Sequence, residues 1–390
     1  MTTKSTSLLY LGRDPKKYDK CVNTPIYKSS TFIYESVEDF LREDSPFHTD
    51  ATYGRSGTTI IHELEDAIST LEGADHTILT SSGMSAIILA LLSFLQAGDH
   101  VLIPDATYKC TKRFVEEEFP RLGIEYTYYN PNLTEGIRSL IKQNTKAVYM
   151  ESPSSGTFEI QDIAKLTSIT KEYGLISILD NTWATPLFFQ GMQHGVDVIV
   201  QSLSKYFSGH ADVIMGAISY KNPNHDFIRS RFRNYGAIAS PEDAYLVLRG
   251  LRTLSVRLNQ HYISGMAVAR WLEEQPYVAQ VMHPALPTFK HHHLWKQYYT
   301  GAAGVFGVVL KKSDKEPLYK CINELKYFGI GLSWGGFESL IIPYELQTLS
   351  IRTRVMEGNY IRLNIGLESA QDLIDDLDKS LKNLNYIDNA

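Results

Sequence analysis

Apolar and polar positions follow two spacings along this chain. Ile60, Ile61, Leu64, Ala67, Ile68 and Leu71 recur at helical intervals, and Gly73 stands where such a helix would stop. Elsewhere the apolar residues come in short runs that end abruptly. Leu175–Leu179 stops on Asp180, and Val196–Val200 leads into Gln-Ser-Leu-Ser-Lys. HTILT, VLIPD and the stretch from Asn144 to Glu151 have the same form. Short β-rich runs closed by polar residues predict buried strands of a parallel sheet, with chemistry at their carboxyl ends. From about residue 75 to 220 such runs alternate with helical patterns, which predicts a doubly wound, parallel-rich α/β sheet. Ser240-Pro241-Glu242-Asp243 is a helix start, with a cap, proline in the first turn and acids behind it. The pattern then runs through Leu246, Leu248, Leu251, Leu254 and Leu258 to Trp271 and predicts continuous helix. Gly301–Leu310 is expected to be the buried strand that opens a C-terminal α+β unit, and YIRLNIGLE a later strand. The first 50 or so residues, with Pro15, Pro25 and Pro46, lack periodicity and predict an arm that packs on something else.

The chain has 390 residues, enough for two units with a sizeable core. A net charge of −6 gives no electrostatic reason to expect nucleic acid or an anionic membrane as partner. Cys21, Cys110 and Cys321 lie far apart, without metal-ligand spacing or an even framework, which fits a reducing compartment. The longest apolar run, Ala86–Leu95, is about half a membrane span, and the first residues carry no apolar core of signal-peptide length. A cytoplasmic protein without membrane partners is the expectation. His291-His292-His293 has no acidic or cysteine cluster beside it, so a solvated basic loop is expected there and no metal.

Chemistry gathers after the predicted strands. Lys205 follows one of them, among Ser, Gly and aromatic residues, where desolvation can lower its pKa and make it an amine nucleophile. Asp180, at the end of the neighbouring run, completes the pair that pyridoxal phosphate needs: an amine for the aldehyde and a carboxylate for the pyridine nitrogen. Gly83 and Met84 open a helix after a Ser-Ser turn, and their N–H groups form an anion site; the hydroxyls of Ser202 and Ser204 flank the lysine and could add to it. Tyr108 follows a strand as well, where its ring could stack on a flat cofactor and its hydroxyl could move a proton. Arg362 lies within a strand, and its guanidinium fork suits an amino acid's α-carboxylate.

DNTWA followed by SLSKYFSGHADVIMG resembles the Cys/Met-metabolism family of pyridoxal-phosphate enzymes, and the likeness runs from about Tyr53 to Leu377. It implies an aspartate-aminotransferase-like fold (PLP fold type I), with a large mixed-sheet cofactor domain and a smaller α+β C-terminal domain. The expected divisions are an arm over 1–55, a PLP-binding domain over 56–250 and a C-terminal domain over 251–390. The resemblance assigns the phosphate to Gly83, Met84, Ser202 and Ser204, joined by Tyr53 and Arg55 from a neighbouring subunit. Tyr108 becomes the ring partner, Arg362 the carboxylate site, and Ser333 and Trp334 part of the substrate site. Tyr53, Tyr108 and Lys205 become catalytic. A homotetramer, built as a dimer of site-sharing dimers, is implied.

TYGRSGT, DNTWA and Trp334 in Leu332-Ser333-Trp334-Gly335-Gly336 resemble the β-lyase pattern, so the implied reaction is α,β-elimination of cystathionine. Leu332 departs from the residue β-lyases often carry, and Ser152–Gly156 departs from relatives with Asn in that loop. A γ-lyase, γ-synthase or methionine γ-lyase, an alanine racemase activity, and a cofactor-binding protein without turnover remain as rivals. No G-x-S-x-G elbow or dinucleotide fingerprint is present.

Overall fold

The computed structural model describes residues 4–41, 53–221, 227–343, 358–382 and 384. Seven strands form the larger sheet: β1 (His76–Thr80), β2 (His100–Pro104), β3 (Glu125–Tyr129), β4 (Thr145–Glu151), β5 (Ile176–Asp180), β6 (Val198–Ser202) and β7 (Gly216–Tyr220). Their spatial order is β1-β7-β6-β5-β4-β2-β3. Neighbours from β6 to β3 pair in parallel, while β7 runs antiparallel to both β1 and β6. The expected mixed, parallel-rich sheet is therefore present.

The apolar runs are continuous because both faces are covered. Leu179 and Ile199 enter one buried cluster, while Ile178, Val198 and Val200 enter the cluster on the opposite face. The helix Thr59–Glu72 buries Ile60, Ile61, Leu64, Ile68 and Leu71 and ends on Gly73, whose φ of 70° is the left-handed geometry a C-terminal glycine supplies. The helix Gly83–Phe94 buries Ala86, Ile87, Ala90 and Leu91 against the second cluster.

A second sheet holds β8 (Val278–Met282), β9 (Val305–Leu310), β10 (Gly329–Ile330), β11 (Leu340–Pro343) and β12 (Asn359–Asn364), in the order β10-β11-β12-β9-β8. Three expectations change here. The strand that opens this sheet is β8, whose VAQVM sequence is too short and too exposed to announce itself. β9 begins only at Val305, because Gly301 and Gly304 before it are bound elsewhere: the Gly301 carbonyl accepts from Trp295 Nε1 and the Gly304 amide donates to the Tyr206 hydroxyl. His291–His293 is not a solvated loop. His291 is buried, edge-on to Phe289, and accepts the first bonds of the helix His292–Tyr298.

The expected continuous helix after Ser240 is two helices, Pro241–Leu251 and Leu254–Glu273. At the break the Gly250 carbonyl takes the Thr253 amide and the Arg257 guanidinium, so the ladder tightens and stops. Arg252 turns away to bond the carbonyls of Leu8 and Leu11, which ties down the arm. Gly250 lies at this junction between the two sheets.

Candidate functional site

The five parallel strands end on the same side, and the exits of four of them, β2, β4, β5 and β6, assemble the site. β6 closes at Ser202 and the chain turns through Leu203–Ser208 instead of entering a helix directly. The turn is held from behind. Arg257, buried, donates to the carbonyls of Tyr206 (2.7 Å), Phe207 (3.3 Å) and Gly250 (2.8 Å) and to the Thr253 hydroxyl (3.0 Å). Burial draws this guanidinium down to about 10. From the front, Gly335 comes so close that a Cβ on it would stand 3.2 Å from the Lys205 Cβ, and its φ is +80°.

Lys205 is thereby aimed into the site. Its Nζ donates to the Ser333 hydroxyl at 2.7 Å and lies 5.4 Å from the centroid of the Trp334 ring. Burial first, then the Arg362 cation, lower its pKa to about 8, against the opposing pull of Asp180. The expected desolvated amine is what the surroundings create.

Asp180 is the last residue of β5, in register with Val200 of β6 on one side and Glu151 of β4 on the other. Its Oδ1 accepts the Thr182 amide at 2.9 Å, while the Thr182 hydroxyl accepts the amide of Ser202 at 2.9 Å. Burial pushes the Asp180 carboxyl upward, and Thr182, Tyr149 and Lys205 pull it back.

The anion cradle is built from close backbone approach. Ser82 caps the helix Gly83–Phe94 by accepting the Ser85 amide, so the Gly83 and Met84 amides, first in the helix, have no partner within it. A Cβ on Gly83 would stand 2.7 Å from the Ser202 Cβ, and one on Gly216 would stand 2.3 Å from the Ser82 carbonyl oxygen. Only glycine lets the helix end reach β6 and β7 there. The Ser204 hydroxyl accepts the Met215 amide at 3.0 Å and donates to the Met215 carbonyl at 3.3 Å, which fixes it beside the cradle.

Tyr108 caps the helix Lys109–Leu122 after β2, half-exposed, with its phenol pushed up by burial and by Cys110, Glu151 and Asp180. Arg362, in the middle of β12, donates from Nη2 to the carbonyls of Leu332 (2.6 Å) and Ser333 (3.1 Å). Two residues on, Asn364 accepts the Gly335 amide. The same strand therefore carries Arg362 and braces the loop opposite the lysine.

Tyr53 and Arg55 stand apart from this set within one chain. Tyr53 bridges Thr31, and Arg55 donates to the Arg233 carbonyl. Three positions escaped the sequence reading. Arg257 is one more helical cation, Thr182 a loop hydroxyl, and Glu151 the polar end of an apolar strand; no spacing distinguishes any of them.

Pyridoxal phosphate requires an amine, an acid for its ring nitrogen, an anion cradle and a flat partner. Lys205, Asp180, the Gly83–Met84 helix end with Ser202 and Ser204, and Tyr108 fit that set. The family model described as "Cys/Met metabolism PLP-dependent enzyme" matches residues 5–382. An L-alanine/L-glutamate racemase of Wolbachia pipientis wMel is 37% identical over 97% of this chain and 96% of its own. The cystathionine beta-lyase MetC of Escherichia coli (strain K12) is 35% identical, over 96% of each. The crystal structure of metB from Corynebacterium glutamicum superposes with a TM-score of 0.91 at 29% identity, covering 98% of both chains. The chain belongs to the Cys/Met-metabolism family of PLP-dependent enzymes and has its type I fold.

Proposed function

We propose that this protein is a carbon–sulfur lyase that cleaves L-cystathionine at Cβ, giving homocysteine, pyruvate and ammonia. The observation that carries the reading is the meeting of Lys205, Ser333, Trp334 and Arg362: a lysine with its pKa lowered to about 8 beside the cation that suits an α-carboxylate.

Pyridoxal phosphate, when bound, supplies an electron sink for the pair left at Cα. Lys205 would hold it through its amine until the substrate's own amine took that place, and Asp180 would keep a proton on the pyridine nitrogen. Gly83, Met84, Ser202 and Ser204 would hold the phosphate, and Tyr108 would supply the flat partner for the ring. Arg362 holds the substrate carboxylate, and the Lys205 amine takes the proton from Cα. The Cβ–S bond then breaks with its electron pair leaving on sulfur, which takes up a proton to become homocysteine. Water converts the three-carbon remainder to pyruvate and ammonia.

A second copy of the chain completes the site with Tyr53 and Arg55, in a homotetramer. The exposed apolar side chains of Ile33, Val37, Phe40 and Leu41 support an arm that packs on another subunit. Among the described residues no helix is long and apolar enough to cross a membrane, and a cytoplasmic location remains our reading.

A second reading, racemisation of alanine, is favoured by one feature. Leu332 at the site's edge is exposed and offers no polar group to the far end of a long substrate. Both reactions begin with the same proton loss at Cα. Purified protein given L-cystathionine separates them: homocysteine with pyruvate supports Cβ cleavage, and cysteine with 2-oxobutyrate replaces it with a γ-lyase. No thiol product, with L-alanine turned into the D form, replaces it with a racemase.

A further inference from the structure

Glu151 is a buried carboxylate at the site that the proposed chemistry leaves unused. It ends β4, directly in register with Asp180 on β5, and is 6% exposed. Its two oxygens are fully engaged. Oε2 accepts the Thr107 hydroxyl at 2.8 Å and the Tyr108 amide at 2.7 Å, and Oε1 accepts the Ser155 amide at 2.8 Å. One side chain thus joins the loop leaving β2 to the loop leaving β4, beside the strand that carries Asp180.

We propose that Glu151 is a positioning residue for the cofactor ring: by tying these two loops together it holds Tyr108 against the site. The inference rests on the reading of the site as a pyridoxal-phosphate site. The backbone of Tyr108 is fixed at its amide by this bond, and the Tyr108 carbonyl in turn accepts the Lys112 amide of the helix behind it. The residue is 44% exposed, so packing within one chain holds the ring only in part. Bonds to a charged acceptor are the stronger kind, and three converge here. Burial and the neighbouring Asp180 push the Glu151 carboxyl up to about 7 even against these three donors, which pull it toward the charged form. A glutamate kept at that cost in free energy needs a task, and the bonds it makes define one.

The experiment compares wild type, Glu151→Ala, Glu151→Gln and Tyr108→Ala, with and without cofactor. In cofactor-free protein, amide hydrogen exchange at Tyr108 and Ser155 is followed by mass spectrometry or NMR. In Glu151→Ala both amides should exchange at least about tenfold faster. The glutamine can still accept from Thr107 and Tyr108 through its oxygen but presents N–H groups to Ser155. Glu151→Gln should therefore free Ser155 while Tyr108 stays protected. The dissociation constant for pyridoxal phosphate, measured by fluorescence titration, should rise about tenfold in Glu151→Ala. In a Tyr108→Ala background the same change should have almost no effect, because the ring it positions is gone.

Equal effects of Glu151→Ala with and without Tyr108 would overturn the proposal and reduce Glu151 to a general support. Unchanged exchange at Tyr108 would overturn it too. If Glu151→Ala does not fold, the cycle is run with Glu151→Met, which fills the same space but accepts from none of the three donors. Failure of wild type to bind pyridoxal phosphate is a different result. It would refute the site's assignment, and the exchange data would still judge the tie between the loops.

Discussion

The lowered pKa of Lys205 makes a kinetic prediction about how the protein captures its cofactor. Only the neutral amine can attack an aldehyde. With the pKa drawn from 10.5 to about 8, about a tenth of Lys205 is neutral at pH 7, about 300-fold more than for an ordinary lysine. Cofactor-free protein is mixed with pyridoxal phosphate in a stopped-flow instrument, and growth of the visible band of the lysine-bound cofactor is followed from about pH 6 to pH 10. The bimolecular rate should climb about tenfold per unit at low pH and flatten above about pH 8, while a free lysine analogue in the same buffers keeps climbing to about 10.5. Two variants should move the bend in opposite directions. Arg362→Ala removes a cation that lowers the Lys205 pKa, so the bend moves to higher pH; Asp180→Asn removes a carboxylate that raises it, so the bend moves lower. A rate still rising tenfold per unit past about pH 9.5 would refute the desolvation argument, as would a shared direction for the two variants.

Arg362→Ala should also lower kcat/KM for cystathionine by about 30- to 1000-fold, the loss of two charge-assisted bonds at about 1–2 kcal/mol each, with cofactor binding retained; steady-state kinetics decide it. Arg257→Ala leaves the carbonyls of Tyr206 and Phe207 without their buried donor, while Gly250 keeps the Thr253 amide, and should cost about 2–4 kcal/mol, read as a lower urea midpoint. Arg55→Ala and Lys205→Ala chains, each inactive alone, should recover about a quarter of wild-type activity when mixed at equal amounts with confirmed subunit exchange, because one site of each mixed dimer is intact. No recovery would place Arg55 outside a shared site.

What could be read from the sequence was whatever a strand exit or a helix end marks. Lys205 and Asp180 stand where apolar runs break, and Gly83 stands where a strand gives way to an apolar helix, so their positions carried the signal. Arg362 was legible through its strand and its family context. Glu151 was not, because a glutamate closing an apolar run is indistinguishable from a solvated end until Thr107, Tyr108 and Ser155 are seen to converge on it. Those donors come from positions more than 40 residues away on one side and four on the other. The helix break at Arg252–Thr253 was hidden for the same reason: leucine spacing continues across it, and the guanidinium that stops the ladder sits on the following helix. Local pattern fixes elements; the ties between loops are long-range.

The Arg362 guanidinium already has clients. Its Nη2 gives its protons to the carbonyls of Leu332 and Ser333, and Ser333 in turn receives the Lys205 ammonium. A carboxylate that took the same Nη2 protons would compete for them with the 331–334 segment. Reciprocity follows from that competition: whatever loosens the segment strengthens the carboxylate's hold, and an occupied guanidinium weakens the segment's grip on the lysine. Recognition at one end of an amino acid and release of the amine at the other are then two readings of a single equilibrium.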